Sequence, residues 1–146
     1  MISERPAEAL SRFQGGMLCS QAILATYGPL FDLSEEDAVR IARGFGSGMA
    51  RLSATCGAVS GAVMVIGLKY PGTGKQAKEG TYGLIRAFSE KFQSANGSLN
   101  CSELLGCDLA TPEGQNHFRQ NGLVKQCNKY VEDAAVLLEE MLELEK

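Results

Sequence analysis

The segment from Cys56 to Tyr70, CGAVSGAVMVIGLKY, is apolar on all sides when it is wound as an α-helix. A helix without a polar face is unstable on a surface, so this one predicts a central element enclosed by others. Within it Gly57 and Gly61 lie four residues apart on one face, where they let a neighbouring backbone or a cofactor approach closely. Pro71-Gly72 and Gly74 supply the turn that follows.

Helical periodicity fills most of the remaining chain, and no alternating strand pattern competes with it. A first short helix is expected over residues 6–13, stopped by Gly15 and Gly16. A second runs from Met17 to Tyr27, ended by Gly28 and Pro29. Ser34 followed by Asp37 resembles a capping box with the shorter acid, opening a helix with Ala38, Ile41, Ala42 and Phe45 on one side. Residues 76–95 carry Thr81, Ile85, Phe88 and Phe92 at helical spacing. Asn100 caps a short helix from Cys101 to Leu105, stopped by Gly106, and Thr111-Pro112 starts another. The final helix spans Leu123 to Leu144, with Leu123, Cys127, Tyr130, Ala134, Leu138 and Met141 on one stripe. The expected fold is all-α: a compact helical bundle of six to eight segments with a buried central helix. At 146 residues it forms a single domain, 1–146, with no linker or repeat.

Charge excludes two classes of partner. The net charge is −3 and Lys and Arg are scattered, so neither a nucleic-acid groove nor a polybasic membrane contact is expected. The longest strongly apolar stretch, Ala58 to Leu68, is too short to span a bilayer. The first ten residues, MISERPAEAL, lack the apolar core of an export signal, which makes the cytoplasm the expected location.

Five cysteines is a high count for such a chain. A reducing compartment disfavours structural disulfides, which leaves metal ligation, redox chemistry or inert burial. Cys56 follows Thr55, a plausible N-cap, and Cys101 follows Asn100, so both fall in first helical turns; Cys19 lies within three residues of a helix start. Free N–H groups and the helix dipole stabilise a thiolate there. Cys127 lies on the apolar stripe of the last helix. Four distant segments therefore each offer one inward-pointing sulfur. No Cys-x-x-Cys occurs, so zinc-knuckle, thioredoxin-type and ferredoxin patterns are absent. On spacing alone, inert burial and a functional site are evenly matched.

Other candidates are weaker. His117, the single histidine, sits in the polar stretch GQNHFRQNG and reads as a surface or cap residue. GFGSGM lacks dinucleotide-fingerprint spacing and reads as a flexible turn, and EEMLELEK reads as a solvated helix face.

From Cys56 the hexamer Cys56-Gly57-Ala58-Val59-Ser60-Gly61 resembles that of a family of redox-active proteins labelled by a CGAxxG motif and four characteristic cysteines. The resemblance continues through LCSQAILATYG, FGSGMARLSATCG, NCSELLGCDL and VKQCNKYVEDAAVLLEEML, and so covers nearly the whole chain. That family includes a region of split-Soret cytochrome c. The resemblance implies a redox role for Cys19, Cys56, Cys101 and Cys127, with Cys107 outside the set. Its cytochrome relative suggests an iron–sulfur cluster, [2Fe–2S] in the leading reading, on those four thiolates, with Gly57 and Gly61 leaving room for sulfide. The haem-binding half has no counterpart, because the chain has no Cys-x-x-Cys-His. Leu18 stands where relatives often carry a polar Asn, and Cys107 adds a fifth thiol able to replace a ligand or resolve a disulfide.

Electron transfer to an unidentified partner is then the expected activity. The alternatives are metal-free thiol–disulfide chemistry, with Cys56 attacking and Cys101 or Cys127 resolving, and a structural zinc site on the same sulfurs. Small residues on the helical faces, and the relative's dimeric habit, suit a homodimer.

Overall fold

The computed structural model describes residues 3–144. Eight right-handed α-helices follow in order: α1 (Arg5–Gln14), α2 (Cys19–Tyr27), α3 (Glu35–Ala42), α4 (Gly57–Lys69), α5 (Lys75–Asn96), α6 (Cys101–Leu105), α7 (Pro112–Gln120) and α8 (Val124–Met141). Short 3-10 turns at Gly28–Phe31 and Arg43–Phe45 extend α2 and α3. The described residues contain no strand beyond one isolated antiparallel bridge between Thr55 and Asn100.

The capping signals explain most boundaries. Ser34 Oγ accepts from the Asp37 N–H at α3, Asn100 accepts from Ser102 and Glu103 at α6, and Thr111 accepts from Gly114 at α7. Each satisfies N–H groups that the first turn leaves without a partner. Gly106, left-handed at φ +70, ends α6.

α4 is the enclosed helix, packed against α2, α5 and α8. Ala58, Ala62, Val65 and Ile66 have no solvent exposure, and each buried Val or Ile contributes about 1.5–3 kcal/mol. Gly61 makes the α2 contact possible: a Cβ there would stand 3.0 Å from both Ile23 Cβ and the Ser20 carbonyl. The Phe88 and Phe92 rings of α5 stack with centroids 6.0 Å apart, and Tyr130 of α8 tilts against Phe92. The Tyr27 hydroxyl donates to the Ala135 carbonyl, pinning α2 to α8.

Several expectations need correction. Cys56 lies just outside α4 and is its N-cap, because Thr55 is held extended by the bridge to Asn100. α2 begins at Cys19 rather than Met17, so Cys19 is its first residue. α8 ends at Met141 rather than Leu144, and Glu145 and Lys146, part of the acidic end, lie outside the described residues. Ile41, expected on the inner side of α3, is half exposed, since Ala38, Ala42 and partly Val39 are the α3 residues that meet the core.

The largest departure is the glycine-rich stretch. Gly46–Met49 forms one helical turn, closed by the Ala50 N–H to the Gly46 carbonyl, but Ser47 and Gly48 are left-handed. Positive φ continues through Met49, Ala50 and Arg51 and returns at Ser53. For L-residues this conformation costs roughly 1–2 kcal/mol each, so the turn is strained rather than flexible. No helix among the described residues is long and apolar enough to cross a membrane.

Candidate functional site

Three hydrogen-bonded devices bring the cysteines together. Leu18 caps α2 with its N–H donating to Gln21 Oε1, while the Gln21 amide donates to the Val39 carbonyl, and this fixes Cys19 against α3. The bridge between Thr55 and Asn100 is flanked by two hydrogen bonds, Cys56 N–H to the Leu99 carbonyl at 2.8 Å and Cys101 N–H to the Ala54 carbonyl at 2.6 Å. Cys56 and Cys101 are thereby held side by side. The Tyr130 hydroxyl donates to the Leu104 carbonyl, tying α8, with Cys127 one turn earlier, to α6.

Cys19, Cys56, Cys101 and Cys127 all line one cavity of about 190 Å3. Phe13, Leu104, Leu109, Phe118 and Tyr130 supply much of the remaining wall, which is mostly apolar. Cys56 and Cys101 are buried, and Cys19 and Cys127 are partly buried. The left-handed turn forms one side through Ser47 and Gly48. Gly48 admits no side chain, since a Cβ there would stand 2.8 Å from Cys101 Cβ and 2.7 Å from Ser53 Cα.

Cys107 is placed differently. It follows the left-handed Gly106, is partly exposed and does not line the cavity. Gly57 lines the cavity and faces the Cys19 sulfur, whereas Gly61 packs on α2 and does not reach it. The space at Gly61 is taken by Ile23 and the Ser20 backbone. His117 is exposed on α7 beside Asn121 and is also absent from the wall. Tyr130 and Ser53 belong to the site but were not read from the sequence as site residues. The stripe position of Tyr130, three residues after Cys127, was the available signal for one; nothing in the sequence marks the other.

Burial governs the thiols. It pushes the Cys19 thiol above its ordinary value, and backbone N–H groups of Ser47, Ser20 and Ala58 recover part of the shift. Burial, then the neighbouring Cys19, pushes Cys56 far up against the opposing N–H groups of Ala58 and Val59. Cys101 is pushed up to about 11 by burial and then by Cys19 and Cys107, with the Ser53 hydroxyl opposing. Cys127 is pushed up to about 12 by burial and then by Cys19, Cys101 and Cys107. Cys107 is raised by burial and by the Asp108 charge. Helix N–H groups do face Cys56, as its helix position implies, but in the free thiol removal from water outweighs them. Tyr130 is raised as well, by burial and then by Cys127, Cys56 and Cys101.

Among the described residues no three His, Cys, Asp or Glu side chains form a ready-made group around one metal ion. The four cysteines line the cavity. Such a site is able to enclose a group larger than one ion, or to pair thiols as disulfides after small movements.

The model of a family described as "Putative redox-active protein (C_GCAxxG_C_C)" matches residues 17–141, a span that contains all five cysteines. Its label writes the central motif as GCAxxG, where this chain reads Cys56-Gly57-Ala58-Val59-Ser60-Gly61. No curated protein and no solved structure matches the chain.

Proposed function

The chain belongs to the C_GCAxxG_C_C family of redox-active proteins, and from that premise we propose that it is a small electron-transfer protein holding an iron–sulfur cluster on Cys19, Cys56, Cys101 and Cys127. The observation that carries the reading is the single apolar cavity lined by these four thiols from four parts of the chain. A zinc ion needs four sulfurs about 2.3 Å away around one point. Thiols spread around a cavity suit a polynuclear group better, and [2Fe–2S] is the smaller of the two types that take four cysteine thiolates.

The residues present fit such a group. The wall is apolar, the glycines at 48 and 57 keep side chains out, and N–H groups of Ser20, Ser47, Ala58 and Val59 stand within hydrogen-bonding reach of the Cys19 or Cys56 sulfur. When bound, the cluster supplies one-electron chemistry. The protein's part is to hold the four thiolates, to offset their charge with backbone dipoles and to exclude water with Phe13, Phe118 and Tyr130.

Anaerobic purification, iron and acid-labile sulfide analysis and visible absorbance test the proposal. It predicts iron and sulfide in comparable amounts and a chromophore that bleaches on reduction. Zinc without sulfide, or colourless metal-free protein, rejects it. A second reading, thiol–disulfide exchange, is favoured by the partly exposed Cys107, close enough to Cys101 and Cys127 for its charge to raise both. Alkylation masses before and after reduction separate that reading from a zinc site.

A further inference from the structure

A second cavity, of about 240 Å3, lies against the first and shares Ser47, Leu109 and Phe118 with it. Its remaining lining residues are Arg51, Gln115 and Arg119, so two arginines line it and no acidic residue does. Arg51 is carried by the left-handed turn, at φ +66, and makes no ion pair among the described residues. Arg119 bonds to Asn116 Oδ1, a neutral partner. Of the other arginines, Arg5 pairs with Glu139, Arg12 with Glu8 and Glu35, and Arg40 with Asp37, while Arg43 and Arg86 make no ion pair among the described residues and line no such hollow. The chain carries more acidic than basic residues, 17 against 14, yet this hollow collects two cations without a counter-charge. Guanidinium groups match the planar, two-oxygen geometry of carboxylate and phosphate.

We propose that the hollow between Arg51 and Arg119 binds an oxyanion group, carboxylate or phosphate, of a small molecule seated against the wall of the cysteine cavity. That this molecule serves the cysteines rests on the redox reading above; the binding of the oxyanion does not. The shared wall also makes the strained turn intelligible, because it presents Ser47 and Gly48 to the cysteine cavity and Arg51 to the hollow.

The test is calorimetric titration of the full chain, as purified, with inorganic phosphate and separately with malonate at constant ionic strength. Saturable binding of at least one probe is expected, weakened tenfold or more in Arg51→Ala and in Arg119→Ala. Arg43→Ala, at an exposed arginine outside the hollow, serves as the control and should leave it unchanged. The probe that binds identifies the oxyanion class. Both arginines are exposed, so their loss opens no core cavity, and circular dichroism verifies the fold. No saturable binding of either probe, or binding that survives both substitutions, overturns the proposal. Neither probe carries a redox group, so this failure leaves the cysteine reading intact, and a colourless protein that binds phosphate separates the two in the other direction.

Discussion

The sulfur of Cys19 occupies the place where a side chain at Gly57 would begin: a Cβ on Gly57 would lie 2.3 Å from Cys19 Sγ. The Phe45 carbonyl at 3.0 Å and the Ser20 N–H nitrogen at 3.3 Å close the remaining space. Gly57→Ala therefore has to displace the sulfur or separate α2 from α4. Overpacking of this kind costs about 1–3 kcal/mol. A lower urea midpoint is expected, together with loss of any bound chromophore. A variant with unchanged midpoint and colour shows that Cys19 has room to move.

Cys56→Ser and Cys107→Ser should behave oppositely. A hydroxyl scarcely ionises and binds iron poorly, so Cys56→Ser should lose metal and visible absorbance. Cys107 lies outside the cavity, and its replacement should leave both nearly unchanged. Circular dichroism should show wild-type helix content in each. Metal analysis of anaerobically purified protein decides, and the reverse pattern transfers the site from Cys56 to Cys107.

Ala50 is exposed and sits at φ +51, ψ +42, where its Cβ is crowded by its own backbone. Ala50→Gly should raise stability by about 1 kcal/mol, an unusual direction for a glycine substitution. Gly48→Ala should act the other way, since its Cβ meets Cys101 and Ser53. Denaturant melts of the two variants check the pair, and destabilisation by Ala50→Gly removes the left-handed assignment.

Glu139 anchors α8 to α1 through Arg5, at 2.8 and 3.0 Å. Burial raises the Glu139 carboxyl, but the hydrogen bond and charge of Arg5, with Ser3 and Tyr27 beside the group, outweigh it and leave it below its ordinary value. A depressed carboxyl stabilises the fold above its unfolded pKa, near 4.5, and that contribution is lost as pH falls through the folded value. Wild type should thus melt higher than Glu139→Gln at pH 6–7, and the gap should close toward pH 3. A gap that persists in acid assigns the effect to packing instead of charge.

Much of the fold was legible because its causes are local. Ser34, Asn100 and Thr111 start helices where expected, since a side-chain oxygen satisfies the first-turn N–H groups within three residues. The enclosed α4 could be read from its lack of a polar face. Thr55 was misread as a cap because its role depends on Asn100, forty-five residues away. The left-handed turn was invisible for a similar reason: Ser47, Met49, Ala50 and Arg51 are ordinary residues for a right-handed helix. Hydrogen bonds such as Ala54 N–H to the Gly48 carbonyl, and packing against α2, α4 and Cys101 of α6, accompany the other hand.

The sequence by itself determined an all-helical chain, its central helix and the cysteines that the family motif singles out, because helix periodicity, capping and motif are written in neighbouring residues. Tertiary structure decided what those cysteines are. It set four thiols around one apolar cavity, excluded Cys107, turned Gly61 into a helix contact and made burial prevail over the helix N-termini in setting thiol pKa values. Desolvation depends on what the rest of the chain packs above a group, and no local pattern encodes it.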